Sequence, residues 1–341
     1  MAGRGFSDYD ESDVRVRPGK GSRPRSKDRP THADAEFGMV VSKDRGRWGV
    51  VLDSGVQVNC MRARELKRTS VEVGDRVGVV GDTSGQKDTL ARIVKRADRT
   101  SVLRRTADDT DPYERVIVAN AELMLIVVAA ADPPPRTGFV ERALIAAFDG
   151  GVTPVVCLTK SDLADPSAFQ REIEDLNVRV FEVGIAEPID ALTEAIAGRV
   201  SALIGHSGVG KSTLANRIVP KAHRETGSVS GVGKGRHTST QSVALPLEDG
   251  GWVIDTPGIR SFGLAHVSPE RIIEVFPELE EAAKRCPRGC THLGPPADPE
   301  CAWDEFEDDS PIGRRAAAVR RLLTALGSNN EWELKQLDEH R

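Results

Sequence analysis

Long apolar runs are absent from this chain. No stretch of it approaches the run of about 18 apolar residues that a membrane-spanning helix needs. The N-terminal region is polar and lacks the apolar segment of a signal peptide. We therefore expect a cytoplasmic protein without a membrane partner.

Cysteine is also scarce. The 341 residues contain five cysteines, and three of these fall between positions 286 and 301. In a cytosolic protein, such a close group indicates a metal site rather than a disulfide. Cys60 falls in a predicted strand of alternating apolar residues and Cys157 in an apolar strand, so we expect both in the hydrophobic core rather than on a metal.

The chain has no excess of positive charge. Its 47 lysines and arginines are outnumbered by 52 acidic residues, for a net charge of −5. Any nucleic-acid surface must therefore come from local clustering. One basic cluster lies in residues 1–35, which are rich in polar residues and which we predict to be disordered. This tail either solubilises the protein or binds RNA phosphates as a mobile arm.

The remaining chain divides by its apolar patterns into three regions. Residues 36–105 alternate apolar and polar positions in short runs, which predicts five strands in an OB-type β-barrel that could bind RNA. Residues 113–266 alternate apolar runs with helical patterns, as in a doubly wound α/β domain. Residues 267–341 are predicted to form a helical module that contains the cysteine group.

A phosphate-binding loop lies in the α/β region, where the apolar run SALIG leads into HSGVGKST. Gly208 and Gly210 let backbone N–H groups converge on the β-phosphate, and Lys211 lies between the β- and γ-phosphates. Ser212 supplies a hydroxyl ligand for Mg²⁺. The predicted nucleotide contacts in this loop are Gly205, His206, Ser207, Gly208, Val209, Gly210, Lys211, Ser212 and Thr213.

Two further motifs complete a guanine-nucleotide site. In WVIDTPG, Asp255 is expected in the Mg²⁺ shell and Gly258 at the γ-phosphate. The turn Thr159-Lys160-Ser161-Asp162 follows another apolar run. The Asp162 carboxylate can accept from the ring N–H and the amine of guanine, whereas adenine lacks that N–H. Lys160 would lay its stem against the base.

The order of these motifs is unusual. The base-reading turn at positions 159–162 precedes the phosphate loop at 205–212, whereas it follows that loop in an ordinary GTPase. A nucleotide contacts only the loops at the strand ends, so the sheet can be cut and rejoined in this way. The sequence therefore predicts a circularly permuted P-loop GTPase domain over residues 113–266.

The cysteine group includes a histidine. Three thiolates and one imidazole within sixteen residues satisfy the tetrahedral needs of structural zinc and leave no open position for catalysis. Free buried cysteines are the alternative. The predicted zinc ligands are Cys286, Cys290, His292 and Cys301.

Barrel, permuted GTPase and cysteine–histidine cluster, in this order, resemble the RsgA (YjeQ/YloQ) family over roughly residues 36–305. The resemblance implies a GTP hydrolase that acts with the small ribosomal subunit and its rRNA in late maturation. It also implies one zinc ion and Mg²⁺ bound with GTP. We expect a monomer that alternates between GTP and GDP.

The resemblance also assigns switch I to GRHTST at positions 235–240. There, Ser239 and Thr240 are candidate Mg²⁺ ligands beside Ser212 and Asp255, and Thr238 remains an alternative. Ile259 follows the DTPG motif, where many GTPases carry the glutamine that orients water. His237 is therefore the candidate catalytic residue, and a structural histidine is the alternative.

The sequence departs from the family at three places. Thr159 replaces the usual asparagine of the base-reading turn, Gly184-Ile185 replaces the usual Ser-Ala behind the base, and the spacing of the cysteine cluster is irregular. Other functions also stay open. They are an RNA-associated or translation-factor GTPase outside ribosome assembly, a P-loop ATPase or kinase, and an RNA-binding module with a vestigial nucleotide site.

Overall fold

The structure is a computed structural model, which describes residues 31–106, 114–220, 242–257 and 262–327. Most of the predicted basic tail lies outside these residues. Within the described ranges, no helix is long and apolar enough to cross a membrane.

Five strands close the N-terminal barrel in the order β1-β2-β3-β5-β4, and β4 pairs back with β1. The β3–β5 pair is parallel, and the other pairs are antiparallel. A short 3-10 helix at Arg64–Leu66 follows β3. The barrel strands are β1 Glu36–Asp44, β2 Arg47–Leu52, β3 Gln57–Arg62, β4 Arg76–Val80 and β5 Ala91–Arg96.

The barrel interior follows the two-residue period of its strands. Val77 and Val79 in β4 and Ala91 and Ile93 in β5 are fully buried, because alternate side chains of a strand face the same side. Trp48 packs in the same core, and its indole Nε1 donates to the Val71 carbonyl at 3.0 Å. The predicted five-stranded barrel is thus present.

A second group of strands forms a mostly parallel sheet in the order β10-β9-β8-β11-β13-β12. Its first five strands are parallel, and β12 is antiparallel to β13. The strands β6 Val102–Arg105 and β7 Arg115–Ala119 form a separate hairpin before it. The sheet strands are β8 Leu123–Ala129, β9 Thr153–Thr159, β10 Arg179–Glu182, β11 Val200–Gly205, β12 Val243–Pro246 and β13 Trp252–Asp255.

The barrel and this sheet are joined through one strand pair. Val243 in β12 pairs with Ser42 in β1, so hydrogen bonding continues from the parallel strands into the barrel. The joint lies at the edge of the sheet beyond β13. The carboxyl ends of β8, β9 and β11 are therefore left to carry the nucleotide loops.

Helices cover both faces of the parallel strands. Along β8, Met124 and Ile126 belong to one core and Leu125 and Val127 to another, which explains why this strand is apolar throughout. The first core includes α1 and the C-terminal helices, and the second includes α3 and α4. The helices are α1 Thr137–Asp149, α2 Ser167–Glu174, α3 Asp190–Ile196, α4 Lys211–Ile218, α5 Pro269–Ile273, α6 Pro277–Ala283 and α7 Pro311–Gly327.

The C-terminal helices pack directly on α1. Ile272, Leu279 and Leu322 share the core of α1. The buried Arg142 of α1 donates from Nε to the Phe262 carbonyl at 2.7 Å and from Nη1 to the Ala325 carbonyl at 3.1 Å. This arginine therefore ties the end of α7, and the segment that follows the DTPG motif, to α1.

Candidate nucleotide-binding site and cysteine–histidine cluster

The phosphate loop connects β11 to α4 through two left-handed glycines. Gly208 has φ +86° and Gly210 has φ +93°, a region that side chains other than glycine rarely adopt. At Gly205, a Cβ atom would lie 2.9 Å from the Val127 carbonyl oxygen. The loop is therefore built from glycines because its backbone turns sharply and packs closely against β8.

Two charged residues meet at this loop. The Lys211 ammonium donates to Asp255 Oδ1 and, at 2.7 Å, to the Thr256 carbonyl. The meeting follows from the sheet order, since β13 pairs with β11 and places Asp255 opposite Leu203. Ser212 and Thr213 are exposed in the first turn of α4. A carboxylate, an ammonium and two hydroxyls thus lie beside a helix N-terminus, an arrangement that suits Mg²⁺ and phosphate.

His206 lies on the side of the phosphate loop that faces α1. Its ring lies 4.2 Å from that of Phe139, measured between centroids, with the planes tilted by 58°. Ser207 is exposed, whereas Val209 is buried beneath the loop. The predicted contacts of this loop therefore comprise exposed positions and one position that packs inward.

The base-reading turn is held to the phosphate loop by Thr159. This threonine ends β9 and is buried, and its hydroxyl donates to the Val209 carbonyl at 2.6 Å. The hydroxyl also lies 3.2 Å from the Val128 carbonyl of the intervening strand. Threonine at this position, where the family usually carries asparagine, thus keeps a direct link between the two nucleotide loops.

The next residues of the turn project away from the sheet. Lys160 has φ +57°, and its ammonium donates to the Asp132 carbonyl. The Asp162 side chain is exposed and has no hydrogen-bond partner within the described residues. Thr159, Lys160 and Asp162 therefore stand at the same sheet edge as the phosphate loop, with the carboxylate of Asp162 available to a ligand.

Local sequence patterns did not mark the residues that brace Gly184-Ile185, the segment predicted to lie behind the base. Ser161 donates to Glu187 Oε1 at 3.0 Å across 26 positions of the chain. From α4, the Arg217 guanidinium donates to the carbonyls of Val183, Gly184 and Glu187. No local motif marks Glu187 or Arg217, because both contacts depend on how β10 and α4 pack.

Several predicted residues lie outside the described ranges. These are the candidate catalytic residue, the candidate switch I ligands of Mg²⁺ and two positions of the DTPG segment, namely His237, Thr238, Ser239, Thr240, Gly258 and Ile259.

The cysteine–histidine cluster is assembled as predicted. Within the described residues, the ligand atoms of Cys286, Cys290, His292 and Cys301 lie within 4.8 Å of one another. His292 Nδ1 is 3.5, 3.6 and 3.8 Å from the sulfurs of Cys286, Cys290 and Cys301. Standard zinc–sulfur and zinc–nitrogen bonds give a tetrahedral edge of about 3.6 Å between these atom types. The four donors therefore fit one tetrahedral metal ion.

Donors around the cluster favour thiolates. The backbone N–H groups of Ala302 and His292 point at the sulfurs of Cys286 and Cys290, at 3.3 and 3.4 Å. Arg320 Nη2 lies 3.6 Å from the Cys301 sulfur. Burial, followed by the neighbouring Cys301 and Cys286 thiols, raises the pKa of the Cys290 thiol to about 12, and burial is the largest cause that lowers the pKa of His292. A bound cation would reverse the preference of the thiols for the protonated form, because it pairs with thiolates. His292 needs no such change, because neutral imidazole is the form that binds a metal.

Fold and site together define a P-loop GTPase whose base-reading turn precedes its phosphate loop. Residues 96–265 of this chain match the family model described as RsgA GTPase. The small ribosomal subunit biogenesis GTPase RsgA of Gemmatimonas aurantiaca is 33% identical over 297 residues, which cover 83% of this chain and 95% of the relative. The chain therefore belongs to the RsgA GTPase family and is a GTP hydrolase.

Two solved structures share the fold. The crystal structure of YjeQ from Thermotoga maritima superposes with a TM-score of 0.62 at 25% identity, covering 86% of this chain and 99% of that one. YloQ, described as a circularly permuted GTPase, superposes with a TM-score of 0.61 at 22% identity, covering 88% and 98%. The predicted permutation and family are thus confirmed, together with the N-terminal barrel and the C-terminal cluster.

Proposed function

We propose that this protein hydrolyses GTP on the small ribosomal subunit during its late maturation and that the subunit stimulates the reaction. The observation that carries the proposal is the Thr159–Val209 hydrogen bond of 2.6 Å, which joins a guanine-type turn to the phosphate loop. The printed name of the Gemmatimonas relative supplies the ribosomal context.

In this proposal Asp162 reads guanine. Its exposed carboxylate accepts from the ring N–H and the amine of the base, while Lys160 lies along the base. Residues 205–213 bind the phosphates through backbone N–H groups and Lys211. Ser212 and Asp255 hold Mg²⁺, and Ser239 and Thr240 of switch I complete its ligands. Bound Mg²⁺ neutralises charge that develops on the phosphates.

His237 is proposed to position the attacking water. Ile259 has no polar group for this task, so another residue must supply one, and His237 lies in switch I. The ribosomal subunit would bring the His237 imidazole to the γ-phosphate and thereby speed the reaction. Slow turnover by the free protein follows from this arrangement.

The barrel is proposed to be of the OB type and to bind rRNA. Its strand order closes through β1–β4 with a parallel β3–β5 pair. Exposed basic residues between β3 and the start of β4 include Arg62, Arg64, Lys67 and Arg68, although the whole chain is acidic. Such a local cluster binds phosphates by releasing counterions, so this contribution should weaken with salt.

The cluster is proposed to hold one structural zinc ion. Three thiolates and one imidazole are the donors that zinc prefers, and distances of 3.5–3.8 Å from His292 Nδ1 to the three sulfurs suit a closed tetrahedron. Zinc would therefore stabilise the loop between α6 and α7 without taking part in GTP hydrolysis. We further propose that the protein is a cytoplasmic monomer that cycles between GTP and GDP.

Turnover of GTP with and without purified small subunits tests the proposal. Small subunits should raise the rate, and large subunits serve as the matched control. Lys211→Ala should abolish turnover under both conditions, which excludes a contaminating GTPase. Equal stimulation by both subunits would instead favour another RNA-associated GTPase.

A second assay tests the base reader. Asp162→Asn should weaken GTP binding by about 100-fold, because the neutral amide accepts from only one of the two guanine donors and turns its own N–H₂ group towards the other. The variant should prefer xanthosine triphosphate, whose ring carries a carbonyl in place of the amine of guanine. Retention of the GTP preference by Asp162→Asn would contradict the assignment.

A further inference from the structure

The wall opposite the phosphate loop contains a carboxylate that has no part in the motifs of the site. Glu187 Oε1 accepts from the Ser161 hydroxyl at 3.0 Å, directly beside Asp162 in the chain. Within the described residues, Glu187 Oε2 is buried without a hydrogen-bond partner. This carboxylate is thus anchored at the base-reading turn through Ser161.

Glu187 also accounts for the glycine at position 184. A Cβ atom at Gly184 would lie 2.1 Å from Glu187 Oε2, so a side chain cannot be added there without moving the carboxylate. Gly184 does not adopt a positive φ, so its backbone conformation does not require glycine. The carboxylate therefore occupies the space that a serine side chain would take in the usual Ser-Ala pair.

Arg217 fixes the same wall from behind. It lies in α4, the helix that begins at the phosphate loop, and donates to the Val183 and Glu187 carbonyls at 3.0 and 2.6 Å and to that of Gly184. The peptide after Gly184 is trans, so the Ile185 N–H points opposite to the Gly184 carbonyl. It therefore faces away from the Arg217 guanidinium, and Ile185 itself is 86% exposed.

We propose that Ser161, Glu187 and Arg217 are positioning residues for guanine recognition, replacing the usual Ser-Ala segment behind the base. Glu187 orients Asp162 through Ser161, so it governs recognition of the amine of guanine. Arg217 orients the Ile185 N–H, which donates to the keto oxygen of the base. This inference rests on the proposed role of Asp162 as the base reader.

Loss of the Ser161–Glu187 pair and loss of Arg217 should change the preference among nucleotides in different ways. Hypoxanthine has the keto oxygen and ring N–H of guanine but no amine. Ser161→Ala and Glu187→Ala should each reduce the preference for GDP over inosine diphosphate by about fivefold, the value of one modest hydrogen bond. Arg217→Met should weaken the binding of both nucleotides by about fivefold and leave the ratio of the two affinities unchanged.

Dissociation constants come from competition against a fluorescent GDP analogue on the full chain. The double variant Ser161→Ala/Glu187→Ala should lose no more preference than either single variant, because both remove one interaction. Glu187→Gln should keep most of the preference, since its amide oxygen still accepts from Ser161. Ser84→Ala is the matched control, because Ser84 donates to Asp82 at 2.6 Å in the barrel.

The outcomes separate this inference from the proposed function. Suppose that Asp162→Asn comes to prefer xanthosine triphosphate, while Ser161→Ala and Glu187→Ala keep the ratio of GDP to inosine diphosphate affinity. This result would overturn the positioning role and leave the base reader intact. Additive losses in the double variant, or a changed ratio in Arg217→Met, would overturn it as well. If Asp162→Asn keeps its preference for GTP over xanthosine triphosphate, Asp162 is not the base reader, and the inference loses its basis. Equal thermal unfolding midpoints among the variants exclude a general loss of stability.

Discussion

Thr159→Val removes the hydroxyl that links the base-reading turn to the phosphate loop and keeps the shape of the side chain. The lost contact is the 2.6 Å hydrogen bond to the Val209 carbonyl, between two buried residues. One such bond contributes about 1 kcal/mol, and leaving a buried acceptor unpaired costs about 1–3 kcal/mol. We therefore expect the free energy of unfolding to fall by about 2 kcal/mol.

The same variant should bind GDP more weakly. The hydrogen bond orders the two loops before the nucleotide arrives, so at most its whole value is transferred to affinity. A loss of 2 kcal/mol corresponds to a limit of about 30-fold in the dissociation constant. Thr159→Ser is the control, because it keeps the hydroxyl and loses only a methyl group, which costs about 0.8 kcal/mol of stability.

Chemical denaturation and titration with a fluorescent GDP analogue measure the two effects. Thr159→Val should lose both stability and affinity, whereas Thr159→Ser should lose stability and keep its affinity. If Thr159→Val binds GDP as tightly as the unchanged protein, the hydroxyl does not couple the loops. If both variants lose affinity equally, packing of the methyl group is responsible and the reasoning fails.

Three further predictions concern switch I and the cysteines. His237→Ala should lose most of the stimulation by small subunits and keep its affinity for GDP; weakened binding in a GDP titration would make His237 structural. Cys290→Ser should release about one equivalent of zinc, measured by a chromogenic chelator, while GDP binding persists. Burial raises the pKa of Cys60 and of Cys157 to about 12, so both thiols stay neutral at pH 8. A thiol reagent should therefore label neither in the folded protein, and labelling of either one before unfolding would contradict their burial.

The local motifs were predictable because each depends on a short segment. The glycines at 208 and 210 mark a backbone with positive φ, and the structure places them at φ +86° and +93°. The cysteine cluster was predictable for the same reason, since its four donors fall within sixteen residues. The barrel strands followed from their two-residue period, which the alternating buried positions of β3 reproduce.

The sequence by itself determined that this chain is a permuted GTPase, because motif order and residue type are properties of the chain. Only the tertiary structure decided how the nucleotide site is braced. Ser161 meets Glu187 across 26 positions, and Arg217 meets Gly184 across 33, through the packing of β9, β10 and α4. Such contacts have no local signature, since burial and hydrogen bonding between distant segments depend on how the sheet is ordered. The hydroxyl of Thr159 acquires its role in the same way, because β8 brings β9 and β11 together.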